Sequence, residues 1–130
     1  MAVKKIEEIL SHFDKRQFSP VYLLTGEENY YIDLITSKFE EEILDEAERD
    51  FNLTTLYGLE TNAKEICSFA KQYPIMSEKR LIIVKEFQQI DKKELSQLSF
   101  YVERPLASTI LVLVNKNNTI DKKFSDKVNK

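Results

Sequence analysis

A chain with a single cysteine cannot close an internal disulfide, and Cys67 is the only one here; that usage suits a reducing compartment. His12 is the only histidine, so Cys67 and His12 together fall short of a tetrahedral zinc set, and no metal site is expected. No apolar run approaches the about 20 residues needed to span a bilayer. The opening "MAVKKIEEILSHF" is charged and amphipathic, without the apolar stretch of a signal peptide. The chain also lacks a basic block: its net charge of −3 is spread out. Binding to duplex DNA through phosphate neutralisation would need clustered Lys and Arg, so DNA is not an obvious direct partner. These absences leave a soluble, cytoplasmic domain, and 130 residues with 42% hydrophobic side chains are enough for one ordinary core.

What is present alternates regularly. Val3, Ile6, Ile9, Leu10 and Phe13 recur at helical spacing. "VYLL", Val21 to Leu24, follows Pro20 as a short buried strand. Tyr30, Tyr31, Leu34, Ile35, Phe39, Ile43 and Leu44 mark a second, longer helix. "FNLTTLYG" alternates apolar and polar residues and ends at Gly58, which predicts a more exposed strand over 51–56. Thr61 or Asn62 can cap a third helix through Ile66, Phe69 and Ala70, which Pro74 must stop. "RLIIVKEF" supplies a third strand, Leu81 to Val84. Asp91 with Glu94 forms a capping-box pattern for a fourth helix through Leu95, Leu98 and Val102. "STILVLVN", Ser108 to Asn115, is the fourth strand.

Strands alternating with helices of this length imply right-handed crossovers. The fold class is α/β, a parallel sheet with helices on both faces. Continuous apolarity places 21–24, 81–84 and 110–114 among the central strands; the alternating strand at 51–56 belongs at an edge.

A strand, a glycine and a helix in "PVYLLTGEENYYIDLI" occupy the place of a phosphate-binding loop. A working loop reads G-x-x-x-x-G-K-[ST], in which amides cradle phosphate, lysine neutralises it and the hydroxyl holds magnesium. Counted from Gly26, the last three places are Tyr31, Ile32 and Asp33, so glycine, lysine and hydroxyl are all missing. Glu27, Glu28 and Asp33 add negative charge, which favours a helix N-terminus and repels phosphate. The structural reading makes Thr25 an N-cap with Glu28 its capping-box partner. A divergent P-loop ATPase is therefore the weaker alternative.

Other positions agree. The third strand runs into Lys85 and Glu86, where a metal-organising Asp would stand in a nucleotide hydrolase. Lys85 also displaces the phosphoacceptor Asp of a receiver-like signalling domain, a second alternative with a doubly wound sheet. Asn115, at the place of a γ-phosphate sensor, reads as a turn residue. Cys67 falls in an ordinary helix, and His12 reads as solvated or capping rather than catalytic.

In succession, "PVYLLTGEENYYIDLI", "FNLTTLYG", "KQYPIMSEKRLIIVKEF" and "RPLASTILVLVNKN" resemble the N-terminal domain of the bacterial DNA polymerase III delta subunit family, from about Val3 to Lys123. The resemblance implies an AAA+-like (P-loop-like) domain over 1–130 whose phosphate loop has lost its function, with lid and collar domains outside this chain. It implies a strand order of first, fourth, third, second. A fifth strand would lie outside the first and beyond the chain; "IDKKFSDKVNK" would begin the helix leading to it. The implied role is clamp loading in DNA replication: the subunit binds the sliding clamp (beta subunit) and holds its ring open. It works beside the gamma/tau and delta prime subunits and meets primed DNA only through the whole assembly.

No catalysis and no cofactor are expected of this chain itself, which would be a component of the DNA polymerase III holoenzyme, the DNA-directed DNA polymerase (transferase) complex. The family's hydrophobic clamp-binding tip precedes the third strand. Ile75 and Met76 match its apolar pair, and Tyr73 the apolar residue two places earlier. Pro74 departs from the pattern, and it pushes Tyr73 out of helical geometry. A thioether such as Met76 suits an adaptable interface.

Overall fold

The computed structural model describes residues 6–26 and 29–116. Its strands are β1 (Val21–Gly26), β2 (Leu53–Tyr57), β3 (Arg80–Lys85) and β4 (Thr109–Lys116). They form one sheet in the order β1-β4-β3-β2, every pair parallel. Both the fold class and the expected order therefore hold. The expected fifth strand and the helix over "IDKKFSDKVNK" lie outside the described residues.

The apolar runs of β3 and β4 are explained by their central place, where both faces are covered. β1 is equally apolar but stands at an edge. Among the described residues it pairs only with β4, so apolarity alone misplaces it among the central strands. β2, the other edge, is half-buried as its alternation predicts.

Successive strand residues point to opposite faces, and the sheet therefore carries two cores. On one face α1 (Ile6–Lys15) and α2 (Asn29–Glu42) bring Ile9, Phe13, Ile35 and Phe39 against Tyr22, Ile83 and Val112. On the other, α4 (Ala63–Ala70) and α5 (Glu94–Glu103) bring Ile66, Ala70, Leu98 and Val102 against Leu23, Ile82 and Leu111. A short 3-10 turn, Phe87–Gln89, links β3 to α5. Gly58, just past β2, donates to the Lys85 carbonyl at 2.8 Å. A β-carbon there would meet the Glu86 carbonyl oxygen at 2.1 Å, so only glycine fits.

Several local expectations change. The long second helix is broken: α2 stops at Glu42, and Asp45 starts α3 (Glu46–Asn52) with a complete capping box to Glu48. That box draws Phe51 and Asn52 into helix, so the strand begins at Leu53. Thr25 lies in β1. β4 runs on to Lys116, which extends the ladder to Thr25 and Gly26, and α2 begins at Asn29; Glu28 lies outside the described residues.

Asn115 is not in a turn but buried in β4 opposite Thr25. The Asp91–Glu94 box does not form either. Glu94 Oε1 accepts the Ala63 amide at 2.8 Å instead and caps the neighbouring helix, while Asp91 Oδ1 takes the Lys93 amide at 3.2 Å. With Asn62 accepting from Glu65 N at 2.8 Å, α4 has its first amides satisfied from two sides. α4 ends at Ala70, ahead of Pro74 as expected.

Candidate functional site

In a parallel sheet the strands all end at one rim, and there β1 hands over to α2, the place where a phosphate loop would stand. Gly26 closes β1 opposite Lys116. Ile32, where a loop lysine would stand, is buried in the core with Ile35 and Phe39, while Tyr31 is exposed. Asp33 is on the surface and pairs with Lys116 at 3.1 Å; Glu40, from the same helix, pairs with Lys85 at 3.2 Å.

Lys85 and Lys116, the lysines that end β3 and β4, thus each have a carboxylate against them. Exposed pairs of this kind add little to stability, but they cancel the local positive field. Among the described residues the cleft between Asp33, Thr36, Glu40, Lys85, Glu86 and Lys116 measures about 240 Å³. Ligand pockets usually run to about 300–1,000 Å³.

Cys67 and His12 belong to opposite sides of the sheet. Cys67 packs with the α4–α5 core, where burial pushes its thiol pKa up and disfavours the nucleophilic thiolate. His12 is partly buried in the last turn of α1, and its Nδ1 shares a 2.6 Å hydrogen bond with the Tyr22 hydroxyl. Tyr22 belongs to the other core, and its burial raises the phenol pKa. The two residues cannot form a dyad. Among the described residues no group of three His, Cys, Asp or Glu is placed to hold a metal ion, and no helix is long and apolar enough to cross a membrane.

The opposite rim, where strands begin, carries the loop 71–79 between α4 and β3. It brings Tyr73, Ile75 and Met76 into one short segment with 73%, 52% and 94% of their surfaces exposed. The loop is firmly held for so exposed a segment. Asn52 Nδ2 donates to the Ile75 carbonyl at 2.7 Å, and Asn52 Oδ1 accepts the Ile75 amide at 2.7 Å. Ser77 Oγ accepts the Lys79 amide at 3.3 Å, and Lys79 Nζ donates to the Ala107 carbonyl at 2.8 Å.

Where the loop ends, Arg80 is buried and ties three elements together. Nε donates to Phe69 O at 3.0 Å, Nη1 to Phe51 O at 3.2 Å and Nη2 to Thr54 Oγ1 at 3.4 Å. Burial lowers the pKa of this guanidinium, but an arginine remains charged in proteins. Met76 has a left-handed backbone, φ 54°. Such a rim offers apolar anchors on a mounted loop, a form suited to entering a partner's pocket.

Sequence reasoning assigned Phe51 and Asn52 to a strand and so missed both. Phe51 leaves an exposed ring, 62% accessible, beside the residue that grips the loop. The available signal was Asp45-x-x-Glu48, which starts α3.

The family model for DNA polymerase III, delta subunit, matches residues 22–130. A Bacillus subtilis (strain 168) protein, DNA polymerase III subunit delta, is 28% identical over 124 residues, 89% of this chain and 36% of that protein. The solved structure of the Bacillus subtilis DNA clamp loader delta protein (YqeN) superposes with a TM-score of 0.82 at 26% identity, covering 97% of this chain and 40% of that one. A DNA polymerase III gamma subunit-related protein from Thermotoga maritima shares the fold at a TM-score of 0.70 and 15% identity, covering 96% of this chain and 44% of that one. The chain thus spans well under half the length of each of these relatives.

Proposed function

The chain belongs to the DNA polymerase III delta subunit family, and from that premise we propose that it grips the sliding clamp and holds the ring open for loading onto primed DNA. The 130 residues form the N-terminal AAA+-like base, and the lid and collar belong to the remainder of the subunit. Tyr73, Ile75 and Met76 enter a pocket on the clamp. ATP is hydrolysed by other loader subunits, of the gamma/tau type, with delta prime completing the assembly, and the work takes place in the cytoplasm.

One observation carries this reading: an exposed apolar trio on a loop that is hydrogen-bonded to two neighbouring segments. An apolar side chain exposed on a held loop has already met the cost of ordering, so its burial in a partner adds directly to affinity. Immobilised chain should retain the cognate sliding clamp from solution at micromolar concentration. Passage of the clamp through the column unretained would overturn the proposal.

A second expectation concerns nucleotide. With Ile32 in the core and Lys85 and Lys116 each facing a carboxylate, magnesium-ATP should bind no better than about millimolar. At about 1 mM ligand the linkage relation then gives less than about 0.4 kcal/mol of stabilisation. Thermal unfolding with and without ATP measures this directly. A clear upward shift would favour the P-loop ATPase alternative.

A further inference from the structure

The structure assigns Asn52 the role of positioning residue for the 71–79 loop, an inference that rests on the clamp-binding reading of that loop. Asn52 ends α3 and is fully buried. An amide is costly there unless its donors and acceptor are satisfied. They are satisfied largely by the loop: Nδ2 donates to Ile75 O at 2.7 Å and to Glu48 O at 3.1 Å, and Oδ1 accepts from Ile75 N at 2.7 Å. One side chain therefore holds both backbone groups of a residue whose own side chain is half-exposed.

The mount is rigid. α3 is started by the Asp45–Glu48 capping box, and Arg80 holds its last turn through the Phe51 carbonyl. The residue after the grip, Met76, has a left-handed backbone. A side chain with a β-carbon disfavours that conformation, and it persists where the surroundings over-determine it. Asn52 thus presents the apolar pair in one arrangement before any partner arrives. It would raise affinity by removing the ordering cost of docking, without touching the clamp.

The test compares the wild-type chain with Asn52→Ala and Asn52→Asp, reading affinity for the purified cognate sliding clamp and amide hydrogen exchange together. In the wild type the Ile75 amide should exchange far more slowly than that of Glu78 in the same loop. Asn52→Ala should speed exchange at Ile75 while Ile82 and Ile83 in β3 stay protected, and should weaken clamp binding about tenfold, the scale set by ordering a few loop residues.

Asn52→Asp keeps an acceptor for the Ile75 amide but turns a carboxylate oxygen on the Ile75 and Glu48 carbonyls, so its affinity should fall at least as far as that of Asn52→Ala. If neither variant folds, the wild-type contrast in exchange between Ile75 and Glu78 remains the test. Clamp binding at wild-type strength by a folded variant whose Ile75 amide has been freed would overturn the positioning role, as would fast exchange at Ile75 in the wild type. A wild-type chain that does not bind the clamp overturns the functional reading instead, and the two failures are distinct.

Discussion

Replacing Ile75 and Met76 together with serine should weaken binding of the cognate clamp by about a hundredfold or more and leave the fold intact. Apolar anchors that fill a partner's pocket typically carry about 2 kcal/mol or more each, and the polar contacts around them carry little. At about 1.4 kcal/mol per tenfold, losing two anchors exceeds a hundredfold even with incomplete additivity. The fold should tolerate the change for two reasons. Both side chains are largely outside the core, and exposed substitutions usually shift stability by no more than about 0.5 kcal/mol. Asn52 grips Ile75 through its main chain, which serine retains. Surface plasmon resonance against immobilised clamp, with thermal unfolding of the same samples, separates the outcomes. A double variant that unfolds would mean the pair belongs to the core, and a folded variant that still binds tightly would place the tip elsewhere.

Phe39→Ala should do the reverse. Phe39 is fully buried on α2, with its ring edge-on to Phe13 of α1 at 4.9 Å and tilted against Tyr22 of β1 at 4.9 Å. It joins both helices on that face to the edge strand. Truncation removes the ring from a close-packed site that neighbouring elements cannot readily fill, a loss of about 3–5 kcal/mol. For a domain of this size that lowers the melting temperature by roughly 10 °C or more. Clamp affinity of the fraction that remains folded should be unchanged, because Phe39 packs in the core on the α1–α2 face, whereas the 71–79 loop leaves α4 on the other face. A melting temperature within about 2 °C of wild type would show that this core relaxes around the cavity instead.

Part of this protein was legible from its residues alone. The apolar strands "LIIV" and "TILVLV", the helices between them, the parallel α/β class and the loss of Lys and Ser/Thr after Gly26 all follow from local chemistry. Side-chain periodicity and a missing functional group need no partner to be read. Pro74 likewise marks the end of α4 and the loop that exposes Tyr73, Ile75 and Met76. Whether those three enter a clamp depends on a second molecule, and no local pattern contains it.

What only the tertiary structure decided was where the polar groups went. Asn52 meets Ile75 across 23 positions, and Glu94 leaves its expected capping box to serve Ala63 across 31. Ile32 sinks into the core while its neighbour Asp33 pairs with Lys116, and His12 joins Tyr22. A capping pattern states which hydrogen bonds a segment can make. Packing decides which of them it does make, because a buried donor takes whichever acceptor the fold brings within reach, and leaving it unmet costs more than abandoning the local motif.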